Sequence, residues 1–165
     1  MRRRFDLTAS PDGVLRAYNE AVLRLLQRPV KPLPGVRPLI DTLRRRGVPI
    51  GVASASLRPW VDATLHGLGL HDAFGAVVSA SEVENAKPAP DLFLATAARL
   101  GVPNDRCLVV EDTGPGIAAA KAAGMFAVQL RAASTALPPL PDADLVLDAL
   151  TDLDLSLLDA EGPEA

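Results

Sequence analysis

Several marks of familiar protein classes are missing from this sequence. It has a single cysteine, Cys107, so no disulfide forms within the chain. That thiol sits in an apolar run, Cys107 to Val110, and reads as core rather than as a nucleophile; a reducing, cytoplasmic setting is the expectation. No apolar stretch approaches the length of a bilayer span, and the basic start Met1-Arg2-Arg3-Arg4 lacks the apolar block of a signal peptide, so no membrane association is expected. Neither sign of charge dominates: 17 Lys+Arg against 20 Asp+Glu give a formal net charge of -3, and a field of that size does not recruit nucleic acid by itself. Aromatic residues are only 4% while Ala, Leu, Arg and Pro abound, a coding bias that says nothing about activity. No internal repeat is visible, and 165 residues suit one domain with a real core.

What is present is an alternation of short apolar runs with amphipathic ones. Ser10-Pro11-Asp12 is a helix start, and Val14, Tyr18, Val22, Leu25 and Leu26 recur on one face as far as Arg28-Pro29. Pro29 to Gly35 is a stiff connector, plausible as a hinge. Val36, Leu39, Ile40 and Leu43 mark a second helix, with Arg44 to Arg46 as its solvated end and Gly47 as its stop. Strands are expected at 48–53, 74–79, 107–110, 126–130 and 143–147, and helices at 59–68, 92–100, after Gly114, and at 150–158. His66 and His71 read as surface or cap residues. This alternation means an α/β fold with a parallel, doubly wound sheet.

Chemistry-bearing residues fall at the carboxyl ends of the strands, where open α/β sheets bind ligands. Glu111 and Asp112 end one run. Adjacent acids repel unless a cation sits between them, and hard oxygen donors suit magnesium; the plainer alternative makes Asp112 a helix cap and leaves Glu111 solvated. Ser54-Ala55-Ser56 ends another run just before a helix, a natural phosphate cradle, although N-capping by Ser56 explains part of it. Lys87 lies in a loop braced by Pro88 and Pro90, as a fixed counter-charge for an anion would.

The order and spacing of Ser54, Lys87 and Glu111-Asp112 resemble the haloacid dehalogenase superfamily, in its branch of capped phosphatases and beta-phosphoglucomutase-like enzymes. The matching stretches are Pro34 to Ser56, Leu68 to Val102, Cys107 to Met125 and Ala143 to Leu155. The resemblance implies a Rossmannoid three-layer core at 33–165 and a remnant of a helical cap with its return hinge at 1–32. It implies that Ser54 and the Ala55 backbone hold a transferring phosphoryl group, that Lys87 neutralises it, and that Glu111 and Asp112 hold Mg2+. Ser56 and Arg58 fall where a substrate-facing loop would be, with packing or capping as the equal alternative. The implied reaction is a magnesium-dependent phosphatase or phosphomutase acting on a small phosphorylated metabolite.

One departure matters. Family members open with an apolar strand running into Asp-x-Asp-Gly, which carries the nucleophile, and this sequence has no such signature. Phe5-Asp6-Leu7 and Asp12-Gly13 are too far apart to replace it, and Arg2 to Arg4 would make a poor buried strand. The missing strand belongs between the strands ending in Ser54 and Glu111, so a sheet destabilised there, self-associated, or completed by a partner strand is expected. The functional alternatives are a phosphate-binding or regulatory remnant without catalysis, or one half of a split enzyme.

Overall fold

Ser10 opens the first helix through its side chain: the Oγ accepts from the N–H of Gly13 at 3.0 Å, and Pro11 follows in the first turn, where its missing N–H costs nothing. Helix α1 then spans Pro11–Leu26. The computed structural model describes residues 10–26, 28, 30–132 and 138–159; the readings of Arg2 to Arg4 and of Phe5 to Leu7 lie outside that set. Helix α2 (Val36–Arg45) starts after Gly35 and stops at Gly47, whose φ of 69° lies in the left-handed region that favours glycine.

Strand β1 is Gly51–Ser54, shorter at its start than the expected 48–53. Pro49 has no N–H to lend to a ladder, and the Val48 N–H is already donated to Leu43 O at 3.0 Å. Then follow α3 (Arg58–Leu68), β2 (Ala76–Ser79), α4 (Asp91–Leu100), β3 (Leu108–Glu111), α5 (Gly114–Ala122), β4 (Phe126–Leu130) and β5 (Leu145–Leu147). The helix expected at 150–158 is instead two 3-10 turns, Leu150–Asp152 and Leu155–Leu158. Asp154 separates them: its carboxylate accepts from Ser156 N–H at 2.9 Å and begins a new turn in place of continuing the old one.

Every strand pairing is parallel, but the strands form two sheets rather than one: β1 pairs with β2, and β3-β4-β5 form the other. Helices cover both faces. On one, Ile40 of α2 and Val61 and Leu65 of α3 pack with Val52, while Val36 and Leu39 reach Val128, Leu130 and Leu147. On the other, Phe93 and Ala97 of α4 and Ile117, Ala119 and Ala120 of α5 pack with Val109 and Ala127. Gly51 permits the approach of α4, since a Cβ there would lie 2.6 Å from Thr96 Cγ2. Burial of these aliphatic faces stabilises the layers by roughly 25 cal/mol per Å² of apolar surface removed from water.

Helix α1 lies against α3. Tyr18 and Trp60 meet edge to face with centroids 5.8 Å apart, and Gly67 lets the end of α1 come close, because a Cβ there would lie 2.8 Å from Leu26 O. No α1 residue is buried, and Val14 and Tyr18 remain 44% and 56% exposed. The apolar face read from the sequence is therefore only half covered. His66 and His71 stack on each other at the end of α3, with centroids 4.4 Å apart.

Candidate active site

Strand β1 delivers Ser54 to its carboxyl end, opposite the buried Ser79 of β2. The Ser54 Oγ accepts from the Ser56 N–H at 3.1 Å, a tight turn that leaves Ala55 exposed at its tip. Ser56 does not cap the following helix: the N-cap residue of α3 is Leu57, which makes no side-chain cap, and Ser56 instead borders a cavity of about 310 Å³ under α1 with Ser54, Val22 and Trp60. The Arg58 guanidinium pairs with Asp62 at 2.8 Å and with Glu82 at 3.5 Å.

Lys87 comes from the proline-braced loop, where Asp91 accepts from Asn85 N and Nδ2 at 3.0 and 3.1 Å and the Lys87-Pro88 peptide is cis. Its ammonium does three things at once. It donates to Ala53 O at 3.1 Å, forms an ion pair with Glu111, and stands 4.7 Å from the Phe93 ring centroid. Both partners of the ion pair are nearly buried, with side chains 11% and 10% exposed. Lys87 thus bridges the carboxyl ends of β1 and β3.

At the end of β3 the two acids part company. Glu111 turns inward and accepts from the N–H groups of Asp112 and Thr113 and from the Thr113 hydroxyl, at 3.1, 3.2 and 3.0 Å. Burial by itself raises the Glu111 carboxyl, but the Lys87 ammonium and the Thr113 donors outweigh it and hold the group below the ordinary carboxylate value. Asp112 is exposed. It does not cap α5; Thr113 does, its Oγ1 accepting from Gly116 N–H at 3.1 Å. Gly116 is required by contact, because a Cβ there would overlap the Glu111 carboxylate.

Thr113, Gly116 and Phe93 were not singled out as site residues by sequence. Thr113 shares its cap-forming residue type with Asp112 beside it, and only the coordinates decide between them. Among the described residues no group of three or more His, Cys, Asp or Glu side chains converges as a ready-made metal cage. Magnesium keeps several waters and is often held by one or two carboxylates; Asp112 offers a solvent-facing one, while the oxygens of the neighbouring Glu111 are engaged by Lys87 and by the Asp112 and Thr113 donors.

A sequence model described as haloacid dehalogenase-like hydrolase matches residues 3–124. The chain belongs to that family. Its relatives place the chain in the beta-phosphoglucomutase-like branch. It is 44% identical over 125 residues to the fructose-1-phosphate phosphatase YqaB of Escherichia coli K12, covering 73% of this chain and 63% of that one. It is 38% identical over 146 residues to the beta-phosphoglucomutase of Bacillus subtilis, covering 88% and 61%. Among solved structures, CbbY from Rhodobacter sphaeroides in complex with phosphate superposes with a TM-score of 0.83 at 26% identity, over 93% of this chain and 71% of that one. Beta-phosphoglucomutase from Clostridium difficile superposes at 0.74 with 28% identity, over 91% and 67%. The chain thus spans about three fifths of the length of these two curated relatives. Among its described residues no helix is long and apolar enough to cross a membrane.

Proposed function

We propose that this chain is the phosphate-handling part of a cytoplasmic, magnesium-dependent phosphatase or phosphomutase acting on a small sugar phosphate. The observation that carries the reading is the position of Lys87, bridged to Ala53 O and Glu111 where the ends of β1 and β3 face each other. Phosphoryl transfer is mainly positioning and neutralisation of the equatorial oxygens, and a lysine fixed between two strand ends supplies a charge that needs no reorganisation. Ser54 and the Ala55 backbone would hold the phosphoryl oxygens, Asp112 with Glu111 would hold the metal, and Glu111 and Thr113 keep Lys87 in place. When bound, Mg2+ would add charge neutralisation at the transferring group. The names of the relatives, a sugar-phosphate phosphatase and a phosphoglucomutase, support the substrate class.

In this proposal residues 1–32 serve as a cap segment with its return hinge and 33–165 as the core. Because the sequence has no Asp-x-Asp-Gly, the reading assigns phosphate binding to the chain by itself and places covalent turnover with a carboxylate brought by a further strand. The test is titration of inorganic phosphate with MgCl2, followed by phosphorus NMR, with fructose 1-phosphate hydrolysis assayed in parallel. Saturable binding that falls at least about tenfold in both Ser54→Ala and Lys87→Met is expected, with little turnover. Binding unaffected by either substitution overturns the reading.

A further inference from the structure

The ladder of β1 with β2 ends at the pair Ser54 and Ser79, yet the two segments stay tied beyond it. Ala80 N–H donates to Ser56 O at 3.2 Å, so the turn that carries Ser54, Ala55 and Ser56 is held from the β2 side. That bond matters because the turn has little else at its far end. Leu57 is the N-cap residue of α3 and has no side-chain acceptor, so the helix start does not fix the turn as Thr113 fixes the start of α5. Ala55 is exposed and Ser56 is half-buried, so packing holds the turn only weakly.

The donor is also aimed. Ala80 opens a short 3-10 turn, Ala80–Glu82, and the first N–H groups of such a turn have no partner within it. A capping box fixes this turn on the end of β2: Glu82 Oε2 accepts from the N–H and hydroxyl of Ser79 at 2.9 and 2.7 Å, and the Ser79 side chain takes the Glu82 N–H in return. Ser79 is wholly buried, so the sheet sets its place. Arg99 of α4 braces Glu82 from the outer side, donating to Glu82 Oε1 at 2.8 Å and to Val77 O at 3.0 Å. The unpaired N–H of Ala80 is thereby presented to Ser56 O in one direction. A second link, the 3.5 Å contact of Arg58 with Glu82, joins partly exposed side chains and adds little, since water screens such pairs.

We infer, resting on the assignment of Ser54 and the Ala55 backbone to the phosphoryl group, that Ala80 and Glu82 are positioning residues for that group. Glu82 sets the direction of the Ala80 N–H, and the Ala80 N–H holds Ser56 O. The Ser54 Oγ accepts from the Ser56 N–H, so its own proton is free for an oxygen of the ligand while the turn keeps its shape. Neither Ala80 nor Glu82 touches phosphate. Donors fixed in advance stabilise charge because they need not reorient, and a loosened turn loses part of that advantage even with Ser54 in place.

The variant Ala80→Pro separates this role from folding. The first position of a helical turn tolerates proline, and Ser79, with φ of -114° and ψ of 164°, already has the extended backbone that a residue before proline adopts. The substitution removes the donor and puts a ring carbon in the proton's place, which pushes Ser56 O away, while circular dichroism is expected to match the parent. Two readouts are taken on the full chain: exchange of the Ser56 amide, which reports its bond to Ser54 Oγ, and titration of inorganic phosphate with MgCl2. In Ala80→Pro the exchange is expected to be at least about fivefold faster and the phosphate affinity at least about fivefold lower. Glu82→Ala is expected to move both the same way, and Glu82→Gln, whose amide oxygen still accepts from Ser79, to recover most of the loss. Lys121→Met breaks the pair with Asp144 at the amino end of β4 and is expected to cost stability without moving either readout. Unchanged Ser56 exchange in Ala80→Pro overturns the inference. So does faster exchange with unchanged phosphate affinity, and so do equal losses in Lys121→Met, which would mean general loosening. If Ala80→Pro does not fold, Glu82→Ala against Glu82→Gln decides by the same two readouts. A parent chain that binds no phosphate overturns the phosphate assignment instead, and Ser56 exchange alone then decides whether Ala80 anchors the turn.

Discussion

Lys87 and Glu111 tie the ends of the two sheets by an ion pair, and the same ammonium donates to Ala53 O on the far side. The pair is nearly dry, so its energetics differ from those of a surface ion pair. Taking two charges out of water costs several kcal/mol, and removing one partner strands the other.

The Lys87→Met variant is therefore expected to lose about 3 kcal/mol of stability in urea denaturation, because Glu111 is left buried without its counter-charge. The double variant Lys87→Met with Glu111→Gln removes both charges and is expected to recover most of that loss. Equal stability of the single and double variants would mean that Glu111 without its partner costs nothing.

Gly116→Ala pushes a methyl group into the Glu111 carboxylate, which has to leave the α5 N-terminus and with it Lys87. A loss of about 1–3 kcal/mol is expected, together with weakened phosphate binding. Gly114→Ala is the control: its Cβ would lie 3.8 Å from Leu140 Cδ2, an ordinary contact, and thermal denaturation is expected to show no loss.

Glu82 carries a pH dependence of its own. Its carboxylate accepts from the N–H and hydroxyl of Ser79 at 2.9 and 2.7 Å and from Arg99 at 2.8 Å, and these donors lower its pKa to about 2. A depressed carboxylate contributes stability that is present above its unfolded value of about 4.3 and is lost as pH falls through the folded value. Thermal midpoints measured between about pH 5 and pH 2 should fall less steeply in Glu82→Gln than in the parent.

Gly67→Ala reports on the docking of α1. The added Cβ would lie 2.8 Å from Leu26 O and 3.4 Å from Arg28 O, so the end of α1 has to lift from α3. Trp60 is the single tryptophan and meets Tyr18 edge to face, so its emission is expected to move to longer wavelength as water reaches it. An unshifted emission would mean that α1 stays seated.

The parts of this arrangement visible in the sequence are those where residue type and position coincide. Ser54 and Glu111 each end an apolar run, and Lys87 sits in a loop just ahead of Pro88 and Pro90, so their meeting at one end of the fold follows from the parallel topology. What escaped was set by contacts between neighbours. Ser56 looks like a cap, but the helix starts later, with Leu57 in the N-cap position. Thr113 and Asp112 are equivalent by type, yet only Thr113 both caps α5 and donates to Glu111. The terminal helix expected at 150–158 fails at Asp154, whose side chain competes for the backbone. The break between β1 and β3 has no local signature, because Val48 to Ala53 and Cys107 to Val110 each read as an ordinary central strand. It followed only from the family resemblance and the lack of the acidic opening strand.

Helix α2 has a consequence for how the molecule comes apart. Val36 packs both with the cluster of Ile40, Val61, Leu65 and Leu70 and with that of Val128, Leu130, Leu147 and Leu150, and just past the helix Arg46 holds Asp159 at 2.8 Å. One helix is thus the common wall of two cores that share no ladder. Neither half can open that wall without exposing the other, so two separate sheets melt as a single cooperative unit.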